Sequence, residues 1–146
     1  MKKLILGISI LALTSVVAFA GPIEDRQALM KSFGKAIGGV APIAKGEAPF
    51  DAAAVTAAIA ALNVEVLKFD PAVLFPVGSE TGGDTEADPK IWSDAAGFKA
   101  AVDKYKADVA AAVATPAVDL AAFQAQFGAI AKNCGACHEV YRMKKG

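Results

Sequence analysis

Cys134-Gly135-Ala136-Cys137-His138 lies eight residues before the C-terminus and directs the interpretation of the whole chain. Cys-x-x-Cys-His is the attachment sequence of c-type haem, in which both thiols form thioethers and the imidazole binds the iron. On a helix, Cys134, Cys137 and His138 are spaced i, i+3 and i+4, so all three project from one face. The two cysteines and the single histidine of the chain all belong to this motif. It therefore predicts one covalently bound haem c.

Other uses of the two cysteines agree less well with the sequence. A redox dithiol is expected near a βαβ pattern, whereas the residues around this motif have helical spacing. A structural zinc site needs about four ligands, and the chain's cysteines and histidine supply three. A disulfide between residues three apart closes too short a loop to constrain the chain.

The first twenty residues have the pattern of a secretory signal. Met1-Lys2-Lys3 precedes an apolar run from Leu4 to Phe19, and Ala18-Phe19-Ala20 forms a cleavage site before Gly21. A membrane anchor is the alternative, but the run of about 16 residues is shorter than the roughly 20 needed to cross a bilayer. We therefore predict a cleaved signal peptide at 1–20, a mature domain at 21–146, and a periplasmic location with no membrane span after cleavage. Thioether formation would leave no free thiol in that oxidising compartment.

The mature chain has the length of one domain and nearly balanced charge. Without Lys2 and Lys3 it keeps 13 of the 15 Lys and Arg residues against 15 Asp and Glu, a formal charge of −2. Because it lacks a basic field, nucleic acid and anionic membranes are not expected partners.

Apolar residues recur at helical spacing in four segments, with Asp51 as a candidate N-cap of the second and a long connection over 71–89. Four amphipathic helices predict an all-α antiparallel four-helix bundle, with the covalent haem near the C-terminal end of the fourth helix. The stripes in chain order are Ile23, Met30, Phe33, Ile37 and Val40; Val55, Ile59, Leu62, Val66 and Phe69; Ile91, Ala95, Phe98, Val102, Tyr105, Val109 and Ala112; and Leu120, Phe123, Phe127, Ile130, Cys134, Cys137 and Tyr141.

The chain resembles the class II c-type cytochromes, the family that includes cytochrome c′, over nearly its whole mature length. That family is a four-helix bundle whose haem motif lies near the C-terminus. The segments that carry the resemblance are Arg26-Gln27-Ala28-Leu29-Met30 with Gly34, the turn over 42–51, Phe75-Pro76, Gly82-Gly83-Asp84, Pro89-Lys90-Ile91-Trp92, and Cys134 to His138 followed by Tyr141-Arg142.

The resemblance implies a role for each matching residue. Cys134 and Cys137 would hold the haem, and His138 would be its proximal axial ligand. Arg142 would lie beside the proximal face, although a solvated arginine near a helix end is the alternative. Cofactor contacts are also implied for Trp92, which could equally be ordinary core, and for five more residues. These five are Arg26, with a possible bond to a propionate, Gln27, Asp84, Thr85 and Glu86.

Met30 matches the family's first-helix position on the distal side of the haem. It could be an axial ligand, a plug that blocks the pocket without binding iron, or a core filler. Met/His ligation suits electron transfer, and we predict a periplasmic one-electron carrier with His138 and Met30 on the iron. The alternative is a five-coordinate protein that binds small gases such as nitric oxide or carbon monoxide. An enzyme is not expected, because peroxidase chemistry needs a distal acid–base group and the one histidine is already used.

The implied partners are redox proteins of a periplasmic electron-transfer chain. The resemblance also implies a homodimer through the first two helices, where Gly34, Gly38 and Gly39 would allow close approach or mark a bend.

Overall fold

The computed structural model describes residues 21–144, so the predicted signal peptide at 1–20 lies outside the described residues. Within the described range the chain forms four long helices and three one-turn helices. The long helices are α1 (Pro22–Gly38), α3 (Ala52–Leu67), α6 (Ala95–Ala114) and α7 (Leu120–Tyr141). The short helices α2 (Ala41–Ala44), α4 (Pro71–Leu74) and α5 (Lys90–Ser93) lie in the connections. The predicted all-α four-helix bundle is therefore confirmed.

Aspartates define where three of the long helices begin. The Asp51 carboxylate accepts hydrogen bonds from the Ala53 and Ala54 amides, as its N-cap role predicts. Asp119 caps α7 in the same way through the Ala122 amide. The third predicted helix differs, because Asp94 interrupts it and caps a new helix through the Gly97 amide. The continuous stripe from Ile91 is thus divided into α5 and α6.

The buried face of α1 differs from the predicted stripe. Its buried residues are Arg26, Leu29 and Phe33, whereas Met30 and Ile37 are only partly buried. Both residues line a cavity, which leaves their side chains partly exposed. Ala95 of the third stripe is exposed for a different reason, since it lies at the start of α6, next to the Asp94 interruption.

Each long helix packs against the next one in sequence, but the first and the last stay apart. α1 packs on α3, α3 on α6 and α6 on α7, but α1 and α7 make hardly any direct contact. A main cluster of buried residues joins α1, α3, α6 and α7 near the Cys-x-x-Cys-His motif. A smaller cluster around Phe123 closes the opposite end of the bundle. Along α7, at 1.5 Å per residue, Phe123 lies about 16 Å from Cys134. The gap between α1 and α7 therefore opens at the motif end.

The long connection between α4 and α5 is folded against the bundle. It contains a buried serine, Ser79, and three glycines with positive φ, namely Gly78 at 94°, Gly82 at 104° and Gly83 at 52°. An isolated antiparallel bridge pairs Ala87 with Arg142, so the end of this loop lies against the residues that follow α7. Among the helices of residues 21–144, none has the length and apolar character that a membrane crossing requires.

Candidate haem site

A cavity of about 820 Å³ occupies the gap between α1 and α7. Its walls come from α1, the 75–87 loop, α6 and the last two turns of α7. Ten of the site residues predicted from the sequence line this cavity: Arg26, Gln27, Met30, Asp84, Thr85, Glu86, Cys134, Cys137, His138 and Arg142. The tertiary structure thus brings together residues that are up to 116 positions apart in the chain, Arg26 and Arg142 being the extremes.

The motif residues present their side chains to the cavity from one helix. Both thiols are free and half-buried, and burial is the main reason why the pKa of each lies above its usual value. The pKa of His138 is lowered by burial first and by the positive charge of Arg142 second, while Glu86 opposes these effects. The neutral imidazole is the form that binds a metal ion. This end of α7 can therefore supply two sulfurs and one nitrogen to a single group.

Aromatic side chains form much of the remaining wall. Phe75 and Phe98 contact edge to face with their ring centres 4.9 Å apart, and Phe33 meets Tyr105 at 5.4 Å. Phe69 connects the two pairs through contacts with Phe33 and Phe98. A cavity of this size with an apolar aromatic wall and thiols at one end fits a flat apolar macrocycle attached through those thiols.

Arg26 holds the loop that closes one side of the cavity. Its Nη1 donates to the Leu74 carbonyl at 3.2 Å and to Ser79 Oγ at 3.0 Å. Its Nη2 donates to the Ser79 carbonyl at 2.8 Å and to Thr85 Oγ1 at 2.5 Å. The guanidinium also lies 5.0 Å from the centre of the Phe75 ring. Burial lowers the pKa of Arg26, and none of the ion pairs within residues 21–144 includes it.

These bonds alter the role expected for Arg26. Both terminal nitrogens already bind the loop, so only the Nε–H remains without a hydrogen bond among the described residues. Arg26 therefore acts first as a clamp on the loop, and a bond to a propionate stays a prediction. Its neighbour Gln27 donates from Nε2 to the Asp84 carbonyl at 3.0 Å, which attaches the same loop to α1 at a second point.

Arg142 and Glu86 meet at the edge of the cavity. Arg142 Nε donates to Glu86 Oε2 at 2.7 Å, so Arg142 is paired and not simply solvated. Trp92, by contrast, does not line the cavity. Its Nε1 donates to the Phe75 carbonyl at 3.0 Å, which places the indole behind the aromatic wall as supporting core.

Three residues of the site carried no readable sequence signal for their roles. Ser79 is buried and binds Arg26, yet it lies in an irregular loop. Tyr105 was predicted as core from its stripe, but its side chain lines the cavity and its buried hydroxyl has no partner among the described residues. Asn133 lines the cavity too and donates to Asp108 at 2.6 Å.

Comparisons with known proteins agree with this geometry. The family model described as Cytochrome C′ matches residues 21–142. Cytochrome c-556 of Agrobacterium fabrum is 41% identical over 126 residues, which cover 86% of this chain and 84% of that protein. The structure of cytochrome c′ from Rhodopseudomonas palustris has a TM-score of 0.79 and 41% identity, covering 88% of this chain and all of that one. The nitric oxide complex of a cytochrome c prime variant from Alcaligenes xylosoxidans has a TM-score of 0.75 and 35% identity, with coverages of 86% and 99%.

Proposed function

The chain belongs to the cytochrome c′ family, and from this premise we propose that it binds a small gas such as nitric oxide or carbon monoxide. Like its family, it is a class II c-type cytochrome with one covalently bound haem c. The observation that carries the gas-binding function is the apolar cavity in which Met30 packs into the wall.

The residues of α7 would hold the cofactor. Cys134 and Cys137 would form the thioethers, and His138 would bind the iron through its neutral imidazole. The bound haem supplies an iron that coordinates diatomic ligands and changes oxidation state. Because Cys134, Cys137 and His138 lie within two turns of one helix, the cofactor would have a fixed orientation relative to α1, from which Met30 projects.

Met30 has the surroundings of a wall residue. Its side chain is partly buried and packs against the main cluster, which includes Leu29 and Phe33 of the same helix. Phe33 and Phe98, which line the same cavity, offer no lone pair to iron and no proton to a ligand. A pocket lined in this way suits an uncharged diatomic molecule. The Alcaligenes xylosoxidans relative seen with nitric oxide supports this choice.

The gas would be bound and not converted. His138 is the chain's one histidine and would be committed to iron, so the cavity has no imidazole for acid–base catalysis. Binding would take place in the periplasm, after export by the signal peptide predicted at 1–20. The iron would be reduced by redox proteins of that compartment.

We also propose a homodimer through α1 and α3. Gly38 and Gly39 are exposed, and a Cβ at either of them would meet nothing within 4 Å, whereas Gly34 lines the cavity. A second helix can approach closely along such a surface. Sedimentation that shows only monomer at high concentration would contradict the dimer.

Optical spectra of the purified holoprotein test the gas-binding function. We expect the dithionite-reduced protein to show broad high-spin bands that sharpen and shift when carbon monoxide is added. Sharp, split reduced bands that do not respond to carbon monoxide would contradict the proposal, because they would show that a protein ligand already occupies the sixth position.

Electron transfer with Met30 on the iron is the second candidate. This candidate is favoured by the position of Met30, which lines the cavity. The other methionine within residues 21–144, Met143, is exposed outside the cavity. Met30→Ala separates the two functions. A carrier would become high-spin and gain carbon monoxide binding, whereas a gas-binding protein would stay high-spin. Met143→Ala is the matched control and leaves the spectrum unchanged in both cases.

A further inference from the structure

An ion pair lies at the edge of the cavity, one helical turn beyond His138. Arg142 Nε and Glu86 Oε2 are 2.7 Å apart, and both side chains line the cavity together with His138. The two side chains keep 49% and 30% of their surface exposed. The pair is therefore partly screened by water, but it lies beside the residue that would bind the iron.

The backbone around the pair is held independently of the two side chains. The Met143 amide donates to the Glu86 carbonyl at 2.8 Å, and the Asp88 amide donates to the Tyr141 carbonyl at 3.0 Å. These bonds flank the antiparallel bridge between Ala87 and Arg142. A substitution of the Glu86 side chain thus leaves the loop attached to the end of α7, so the effect of its charge can be measured by itself.

The two charges lie at the same edge of the cavity as His138. Arg142 directly follows α7, four residues after His138, and Glu86 Oε2 lies 2.7 Å from Arg142 Nε. All three side chains line the cavity. A group bound to the imidazole would therefore experience two nearby charges of opposite sign.

We propose that Glu86 is a positioning residue that compensates the charge of Arg142 beside His138 and thereby sets the reduction potential of the haem. This role goes beyond gas binding and applies whether Met30 binds the iron or not. A cation near the iron favours the ferrous over the ferric state, because the ferric state carries one more positive charge. Without Glu86 the charge of Arg142 is uncompensated, so the potential rises.

Redox titration of the holoprotein tests this role. Glu86→Gln keeps the size of the side chain and removes its charge, and we expect a higher midpoint potential. At a fixed potential the ferrous-to-ferric ratio should increase about two- to tenfold, which corresponds to a rise in midpoint potential of up to about 59 mV for one electron. The effect stays in this range because both side chains of the pair are partly exposed to water. The shift should shrink as salt is added, because salt screens exposed charges. Arg142→Gln should lower the potential, and the double variant should return close to the wild-type value.

Two further variants distinguish compensation from a structural role. Glu86→Asp keeps the charge and should remain near the wild-type potential. Asp103→Asn removes a carboxylate from the surface pair with Lys99, away from the cavity, and should leave the potential unchanged. The proposal is wrong if Glu86→Gln leaves the potential where it was or lowers it, or if Arg142→Gln raises it.

Discussion

The two tyrosines of the chain allow a paired test of how the cavity region is stabilised. Both side chains line the cavity and both residues are buried. The Tyr141 hydroxyl donates to Asp94 Oδ2 at 2.9 Å, whereas the Tyr105 hydroxyl has no partner among the described residues. Replacing each tyrosine by phenylalanine removes one oxygen and leaves the ring in place, so the two variants should change stability in opposite directions.

The expected sizes follow from the hydrogen bonding of each hydroxyl. A buried donor without a partner costs about 1–3 kcal/mol, so Tyr105→Phe should raise the free energy of unfolding by about 1 kcal/mol. A hydrogen bond to a charged group contributes about 1.5–3 kcal/mol. Tyr141→Phe should lower the free energy of unfolding by about 1.5 kcal/mol, the low end of that range, because Asp94 is only partly buried and water can reach it in the variant. An unfolding entropy of about 2.1 cal/mol/K per residue makes 1 kcal/mol equal to about 4 °C for a domain of this size.

Thermal unfolding of the holoprotein, followed by circular dichroism at the helix band, measures both changes. We expect the Tm of Tyr105→Phe to rise by about 4 °C and that of Tyr141→Phe to fall by about 6 °C. The raised pKa of Tyr105, which is due mainly to burial, agrees with a hydroxyl that stays protonated and uncompensated. A Tm of Tyr105→Phe that falls as far as that of Tyr141→Phe would refute the reasoning, since it would show that the Tyr105 hydroxyl has a partner in the holoprotein.

Three other changes test the core, the loop clamp and an acid-sensitive contact. Leu62 is fully buried, so Leu62→Ala should lower the free energy of unfolding by about 2–5 kcal/mol in a denaturant titration; a loss below 1 kcal/mol would contradict the packing described. The lysine in Arg26→Lys cannot reproduce the guanidinium fork that binds the loop. Hydrogen exchange of the amides from Ser79 to Ala87 should therefore be faster in the variant, while exchange in α3 stays slow. Equal protection of the loop in both proteins would argue against the clamp. The pKa of Asp108 is lowered, chiefly by the hydrogen bond from Asn133 and then by Lys104. A lowered folded-state pKa stabilises above the unfolded pKa, and this contribution is lost as the pH falls from about 4 through the folded-state pKa. Asn133→Ala should therefore weaken the acid dependence of stability below about pH 4, and an unchanged acid profile would mean that the bond contributes nothing.

Several features of the site were predictable because they are encoded locally. The Cys-x-x-Cys-His spacing predicts three side chains on one face of a helix, and Cys134, Cys137 and His138 line one cavity. Asp51 is an N-cap because its short carboxylate reaches amides two and three residues ahead. Contacts within one or two turns depend on neighbouring residues, which the sequence displays directly.

The contacts of Arg26 show what local patterns do not contain. An arginine in the first helix predicted a cofactor contact, but its guanidinium binds Leu74, Ser79 and Thr85, which lie 48, 53 and 59 positions away. The partner of such a donor depends on how an irregular loop folds over it. No periodic pattern within that loop indicates Ser79 as a buried acceptor.

The amino-acid sequence by itself determined the cofactor, its points of attachment and the four-helix architecture. These follow from covalent chemistry at one pentapeptide and from apolar spacing along each helix. Only the tertiary structure decided that α1 and α7 stay apart around the cavity, that Met30 packs into its wall and that Glu86 faces Arg142. It also showed that the Tyr105 hydroxyl has no hydrogen-bond partner within residues 21–144. Helical periodicity indicates which face of a helix is buried. Whether that face meets another helix or a cavity depends on how all four helices and the long loop pack together.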